Sequence, residues 1–190
     1  MSYHALNILD VIENEGLGVA ENIIAAYQCP INKEIQDFLW YKSIDFARQK
    51  ISITYFVVND DEELMGYFAL ANKTTRIPTA NLSKQVQKKL RRYGTYDEAS
   101  ASFQVSAYLL AQFGRNFNKE LTEKPSGTLL MNIATQIAQN VQRLIGGGIL
   151  FLECEDVKEL LDFYGANGYA KFDNRLSESG VNYHQLYRLF

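Results

Sequence analysis

From Thr128 to Cys154 the chain has little conformational choice. Leu129, Leu130, Ile133, Ile137, Val141, Leu144 and Ile145 recur at helical spacing and make one apolar face of a long helix over Thr128–Ile145. Gly146-Gly147-Gly148 ends it, because glycine takes the left-handed backbone that closes a helix without strain. Ile149–Cys154 (ILFLEC) follows at once as an apolar strand. A strand of this kind needs partners on both sides. Phe103–Phe113 (FQVSAYLLAQF) supplies one, since its continuous apolar stretch Ala107–Ala111 suits a central position. Strand, polar loop Gly114–Gly127, long helix and strand therefore read as a mixed α/β, or α+β, arrangement around one mostly antiparallel sheet flanked by helices.

Upstream, Ile51–Asn59 and Leu64–Ala71 are rich in β-branched and aromatic residues, and Asn59–Glu62 supplies a turn, which predicts an antiparallel hairpin. Pro30–Lys50 reads as one amphipathic helix capped by Asn32. Asn7–Tyr27, interrupted by Gly16 and Gly18, reads as a loop and a short helix, with His4 in a mobile terminus. Asn72–Ser102 is polar, contains Pro78 and a helix over Ser83–Arg92, and reads as an insertion of about 72–102 in a single domain, 1–190. Asp156–Tyr164 is a short helix, and Gly168–Phe172 and Asn182–Phe190 are the last two strands.

The formal net charge of -3 does not by itself select a partner, but its distribution is uneven. Lys84, Lys88, Lys89, Arg91 and Arg92 fall in nine residues without an acid, and Lys84, Lys88, Arg91 and Arg92 share a helical face that could meet a phosphate backbone or simply face solvent. Cys29 and Cys154 are far apart, which reads as two free buried thiols in a reducing compartment. No basic leader and no apolar run long enough for a bilayer is apparent, so a cytoplasmic protein without membrane contact is expected. No His–Cys–Asp arrangement suggests a nucleophilic enzyme, and no metal-ligand spacing occurs.

The segment Phe163-Tyr164-Gly165-Ala166-Asn167-Gly168-Tyr169 carries the sharpest chemical signal. A helix that ends at a glycine leaves a tyrosine one turn back, and such a phenol can protonate a leaving thiolate. With the strand before it, this segment resembles the F-Y-x-x-x-G-[FY] signature of GNAT acetyltransferases. The hairpin with Met65-Gly66-Tyr67, the strand to Phe113, the loop and the long helix follow in that superfamily's order. Cys29–Leu39 with the hairpin, and the insertion after it, is similar to the GNAT toxins that acetylate the amine of aminoacyl-tRNA. The resemblance implies acetyl-CoA as cosubstrate, Tyr164 as proton donor, and backbone pairing of the pantetheine arm at Leu110 and Gln112. It also implies a diphosphate site at Ser126, Gly127 and Thr128, with charge from Arg115, Lys119 and Lys124. The family loop [QR]-x-x-G-x-[GA] is matched only by Gly127, with Thr122 and Pro125 where Gln or Arg and Gly are usual. Glu153 is a weak candidate to position or deprotonate the acceptor, which could be a small-molecule, peptide or aminoacyl-tRNA amine; a homodimer is compatible. The degraded loop keeps a second expectation open: a binding module, toward protein or nucleic acid, that retains the fold without the activity.

Overall fold

Eight strands and seven helices are built by residues Ser2–Phe190, which the computed structural model describes. In chain order these are β1 (Tyr3–Asn7), α1 (Ile8–Asn14), α2 (Leu17–Ala25), α3 (Lys33–Tyr41), α4 (Ser43–Arg48), β2 (Ile53–Asn59), β3 (Leu64–Pro78), α5 (Lys84–Leu90), β4 (Gly94–Asp97), β5 (Ser102–Arg115), α6 (Gly127–Ile145), β6 (Ile149–Glu155), α7 (Lys158–Ala166), β7 (Ala170–Leu176) and β8 (Asn182–Leu189). The sheet order is β1-β2-β3-β5-β6-β8-β7, with β4 paired to β5 beside that path. The β1–β2, β2–β3, β4–β5, β6–β8 and β7–β8 ladders are antiparallel and β5–β6 is parallel, so the sheet is mixed, as expected.

Contacts divide the chain into two compact units, one holding the residues up to Ala71 with Leu110–Ile137, the other Asn72–Leu109 with Ala138–Phe190. In the first, α1 to α4 cover one face of the β1–β2–β3 ladder. Phe56 and Tyr67 face each other in register and join Ile8, Ile24, Tyr27, Phe38 and Leu39 in a buried cluster. Tyr67 donates to the Ile35 carbonyl at 2.5 Å, which ties α3 to the sheet without leaving a buried hydroxyl unpaired. Asn7 and Asn32 cap α1 and α3 by accepting from Leu9 and Ile35 N–H.

Here three expectations are corrected. The terminus around His4 is a strand, paired in antiparallel register with β2, and His4 Nε2 lies 3.7 Å from Asp60. Its sequence is too short to announce itself; the edge of β2 recruits it. The single helix expected over Pro30–Lys50 breaks at Lys42, whose φ of -125° leaves the helical range, and becomes α3 and α4. And β3 continues to Pro78, so the expected insertion begins as strand.

In the second unit Ile77, Leu82, Leu90, Phe103, Val105, Ile149, Phe151, Phe172 and Tyr187 form the core. The β7–β8 ladder is irregular between Lys171 and Asp173, and Asn81 donates to the Phe172 carbonyl there at 3.2 Å. The bulge thus keeps Phe172 in the core while its backbone oxygen is satisfied.

Candidate active site

In the first unit, the loop that precedes α6 is pinned at both ends. Asn116 is buried, and its amide nitrogen donates to the carbonyls of Ala26 and Leu64 while its oxygen accepts from Gln28 and Asn118 N–H. A buried amide with all these bonds fixes the chain direction as it leaves β5. Farther on, Thr122 donates through both its hydroxyl and its N–H to Glu63, and Tyr3 donates to Glu123. The Glu123 carboxylate holds the Tyr3 proton and pushes that phenol up to about 12.

The Thr122 hydroxyl, helped by Asn59, holds the exposed Glu63 carboxyl below its ordinary range. A depressed carboxylate contributes stability above its ordinary pKa and loses it as pH falls through the lowered value. Thr122→Val is therefore expected to raise the Glu63 pKa toward the ordinary value in an NMR titration. It should also flatten the pH dependence of the melting temperature below about pH 4. An unmoved Glu63 titration would contradict the assignment.

At the start of α6, Ser126 Oγ accepts from Leu129 N–H at 3.4 Å and its carbonyl from Leu130 N–H at 3.1 Å. The cap takes one of the first-turn donors; Gly127 and Thr128, at the first two helical positions, have no intrahelical acceptor within reach. Nineteen aligned peptide units add their dipole, so this terminus favours an anion. The sequence placed Gly127 in the loop; it is the first residue of the helix. Lys124 is exposed beside this cap. Arg115 is not a free charge: its guanidinium donates to the Pro125 carbonyl at 3.4 Å and lies over the Phe117 ring, bracing the loop. The proline that costs one N–H thus supplies the carbonyl that fixes Arg115. Leu110 is buried and Gln112 half-buried on β5.

In the second unit, the parallel β5–β6 ladder runs over Tyr108–Leu150 and Leu109–Phe151, and β6 continues to Glu155. Then α7 turns back, and Gly168, with φ of +83°, lets Tyr169 N–H reach the Tyr164 carbonyl at 3.1 Å. This is the glycine turn expected from the sequence. It leaves Tyr164 8% exposed, its ring edge-on to Phe163 and Tyr169. Burial, and then the Cys154 thiol beside it, raise the Tyr164 pKa, so the phenol stays protonated across the neutral range.

The other sequence candidates fall elsewhere. Glu153 is held by Arg175, at 2.7 and 2.6 Å, and by Gln185 at 2.7 Å, a cross-strand network that occupies both carboxylate oxygens. Helix α5 ends at Leu90, so the expected cationic face is broken: Arg91 lies over the rings of Tyr96 and Phe103, while Lys84, Lys88 and Arg92 are exposed. Arg92 lines a cavity of about 280 Å³ with Asn72, Tyr93, Ser106, Tyr108 and Gly146, and Tyr164 is not among its lining residues.

One grouping is brought together only by the fold. His184 stands opposite Cys154 in the β6–β8 register, and its Nε2 lies 3.0 Å from Asp156 Oδ1. Cysteine, histidine and aspartate do meet, because strand register joins positions thirty residues apart. The only signal in the sequence was the i, i+2 spacing of Cys154 and Asp156 at a strand end. They are not a metal centre: among the described residues no group of three or more such side chains can hold an ion. Nor is Cys154 an activated nucleophile, since burial and the Asp156 and Glu155 charges push its thiol up to about 11.

No family model and no curated protein matches this chain. Solved structures do. A complex of AtaT with acetyl-methionyl-tRNAfMet aligns with a TM-score of 0.65 at 17% identity, over 96% of this chain and 94% of that one. A tyrosine-to-phenylalanine mutant of KacT aligns at 0.65 and 16% identity, over 97% and 95%. AtaTR bound with AcCoA aligns at 0.64 and 16%, over 98% and 93%. The chain therefore shares the fold of these structures, the GNAT fold that the C-terminal signature implied. Among the described residues no helix is long and apolar enough to cross a membrane.

Proposed function

We propose that this chain is a cytoplasmic acetyl-CoA-dependent N-acetyltransferase whose acceptor is a primary amine, with the amine of an aminoacyl-tRNA as the favoured substrate. The observation that carries the reading is Tyr164: a buried, protonated phenol one turn before the Gly168 reversal, on the signature that the sequence resembles. The amine attacks the thioester carbonyl, and Tyr164 gives its proton to the departing thiolate. The N–H groups of Gly127 and Thr128, with Lys124, suit the diphosphate of CoA, and the β5 backbone at Leu110–Gln112 suits the pantetheine amides. Support for the tRNA acceptor comes from the AtaT complex with acetyl-methionyl-tRNAfMet and from the exposed Lys84, Lys88 and Arg92.

A second reading, a binding module without turnover, is favoured by one observation. Thr122, where the family loop has Gln or Arg, and Arg115, a candidate charge for the phosphates, are already engaged with Glu63 and Pro125. Calorimetric titration with acetyl-CoA separates the two. Saturable binding with Kd in the micromolar range is the expected result, equivalent to roughly -7 to -8 kcal/mol. No heat at several hundred micromolar would favour the binding module. Retention of aminoacyl-tRNA that weakens steeply with salt is expected of the tRNA acceptor.

A further inference from the structure

The cavity beside Tyr93 contains no residue proposed above for acetyl-CoA, and its walls have a chemistry of their own. All of its lining residues belong to the second unit. At about 280 Å³ it holds one small group.

One wall is an aromatic plane. A β-carbon at Gly148 would stand 2.4, 2.6 and 2.7 Å from Tyr93 Cζ, Cε2 and Cε1. Three neighbouring ring carbons at nearly equal distance mean that the backbone meets the face of the ring, not its edge. Glycine at 148 is what lets the ring lie flat there. The chain thus covers one face of Tyr93, and the half-buried ring has its other face left for the cavity that it lines. Ala107 and Ile145 add apolar surface. Such a platform takes a flat ring.

The polar wall donates. Carbonyls of the glycine loop after α6 are engaged: Tyr108 donates its hydroxyl proton to Gly146, Gln142 Nε2 donates to Gly147 at 2.8 Å, and Phe190 N–H donates to Gly148 at 3.0 Å. These donors answer the carbonyl end of α6, which would otherwise repel an anion. Gly147, held at a φ of +99°, keeps its N–H without an acceptor among the described residues. Asn72 Oδ1 accepts from Ser106 at 3.1 Å, which leaves the two N–H groups of its amide for a ligand. Arg92 is the single charged side chain of the wall and is exposed. Among the described residues no carboxylate and no aromatic face engages it.

A flat polar ring joined to an anion fits these walls. A lone phosphate would use Arg92 and leave the Tyr93 face bare. A neutral aromatic would cover Tyr93 and desolvate the guanidinium without pairing it. A nucleotide satisfies both, since proteins hold single nucleotides by stacking the base on an aromatic face and pairing the phosphate with arginine. We propose that this cavity is a nucleotide site, with the base on the open face of Tyr93 and the phosphate on Arg92. Asn72 Nδ2 and Gly147 N–H supply donors to the base and ribose. The nucleotide is either free in solution or one unpaired residue of an RNA strand, whose neighbouring phosphates would run toward Lys84 and Lys88 on α5. Neither the site nor its test depends on acetyl transfer.

NMR of the full chain, following the Gly147 N–H and Arg92 Nε–H signals, tests this. The probes are the four 5′-mononucleotides, the matching nucleosides, inorganic phosphate and a mixed-sequence RNA hexamer. Both signals should shift saturably with at least one mononucleotide, and at least about 10-fold more weakly with its nucleoside or with phosphate. Arg92→Gln should bring the mononucleotide down to the affinity of its nucleoside, with acetyl-CoA affinity and melting temperature unchanged. Tyr93→Leu should cost about 10–100-fold, the range for one stacked base, and Tyr93→Phe should keep the binding. A hexamer that binds more tightly than the mononucleotide, with a steep salt dependence, identifies an RNA strand as the source. A hexamer that binds more weakly identifies a free nucleotide. Saturating acetyl-CoA should leave the mononucleotide shifts in place; displacement would put the adenosine of CoA in this cavity and overturn the proposal. Signals that saturate with neither mononucleotide nor hexamer overturn it too, as does an affinity unchanged in both Arg92→Gln and Tyr93→Leu.

Discussion

Replacing Tyr164 by phenylalanine is expected to lower the rate of acetyl transfer by about 10²–10⁴-fold while leaving acetyl-CoA affinity unchanged. The two effects separate because the ring and the hydroxyl do different things. The ring packs edge-on against Phe163 at 5.2 Å and Tyr169 at 5.8 Å, and phenylalanine fills the same space. The backbone carbonyl that accepts from Tyr169 is untouched by the change. Only the proton is removed, and with it the stabilisation of the departing thiolate. Because burial raises the phenol's pKa, wild-type turnover should show no fall from Tyr164 ionisation up to at least pH 9. Presteady-state measurement of CoA release with a proven acceptor gives the answer: unchanged turnover in the phenylalanine variant would remove Tyr164 from the mechanism. A parallel loss of acetyl-CoA affinity would make its role one of binding.

Gly66→Val is expected to destabilise the protein by about 3 kcal/mol or more, the upper range for forced overpacking. A β-carbon at Gly66 would stand 2.3 Å from Leu130 Cδ2, 2.6 Å from the Gly114 carbonyl oxygen and 3.2 Å from Arg115 Cα. Leu130 can rotate away; the backbone of β5 cannot. Relief therefore requires β5 and β3 to separate, against a helix packed on the same spot. For a chain of this size that corresponds to a fall in melting temperature of roughly 6–12 °C. Gly66→Ala should act in the same direction. Gly165→Ala is the internal comparison, since nothing lies within 4 Å of its β-carbon. In helix α7 it should be neutral or stabilising by up to about 1 kcal/mol. A Gly66→Val variant that melts with the wild type would mean that the hairpin and α6 are not packed as described.

Local signals explain what could be read in advance. The helix over α6, the three glycines after it, strand β6 and the Gly168 reversal each follow from a few adjacent residues whose backbone preferences agree. Tyr164 was legible for the same reason: its place depends on its own helix and the glycine four residues on. Strand β1 was not legible, because five residues next to a helix cap gain their conformation from β2 alone. The break at Lys42 was hidden by an apolar pattern that continues across it. The state of Arg115 was hidden too, since its acceptor at Pro125 is brought to it by the loop's own path.

The sequence by itself determined the long helix α6, strand β6, the β2–β3 hairpin and the Gly168 reversal after Tyr164, because periodicity, glycine placement and helix caps act over fewer than about ten residues. Tertiary structure alone decided which side chains meet. Register across β6 and β8 brought His184 to Cys154 and Asp156. The fold of the loop before α6 engaged Arg115 with the Pro125 carbonyl and Thr122 with Glu63. Contacts between distant segments depend on how the strands align, and no local preference encodes that alignment.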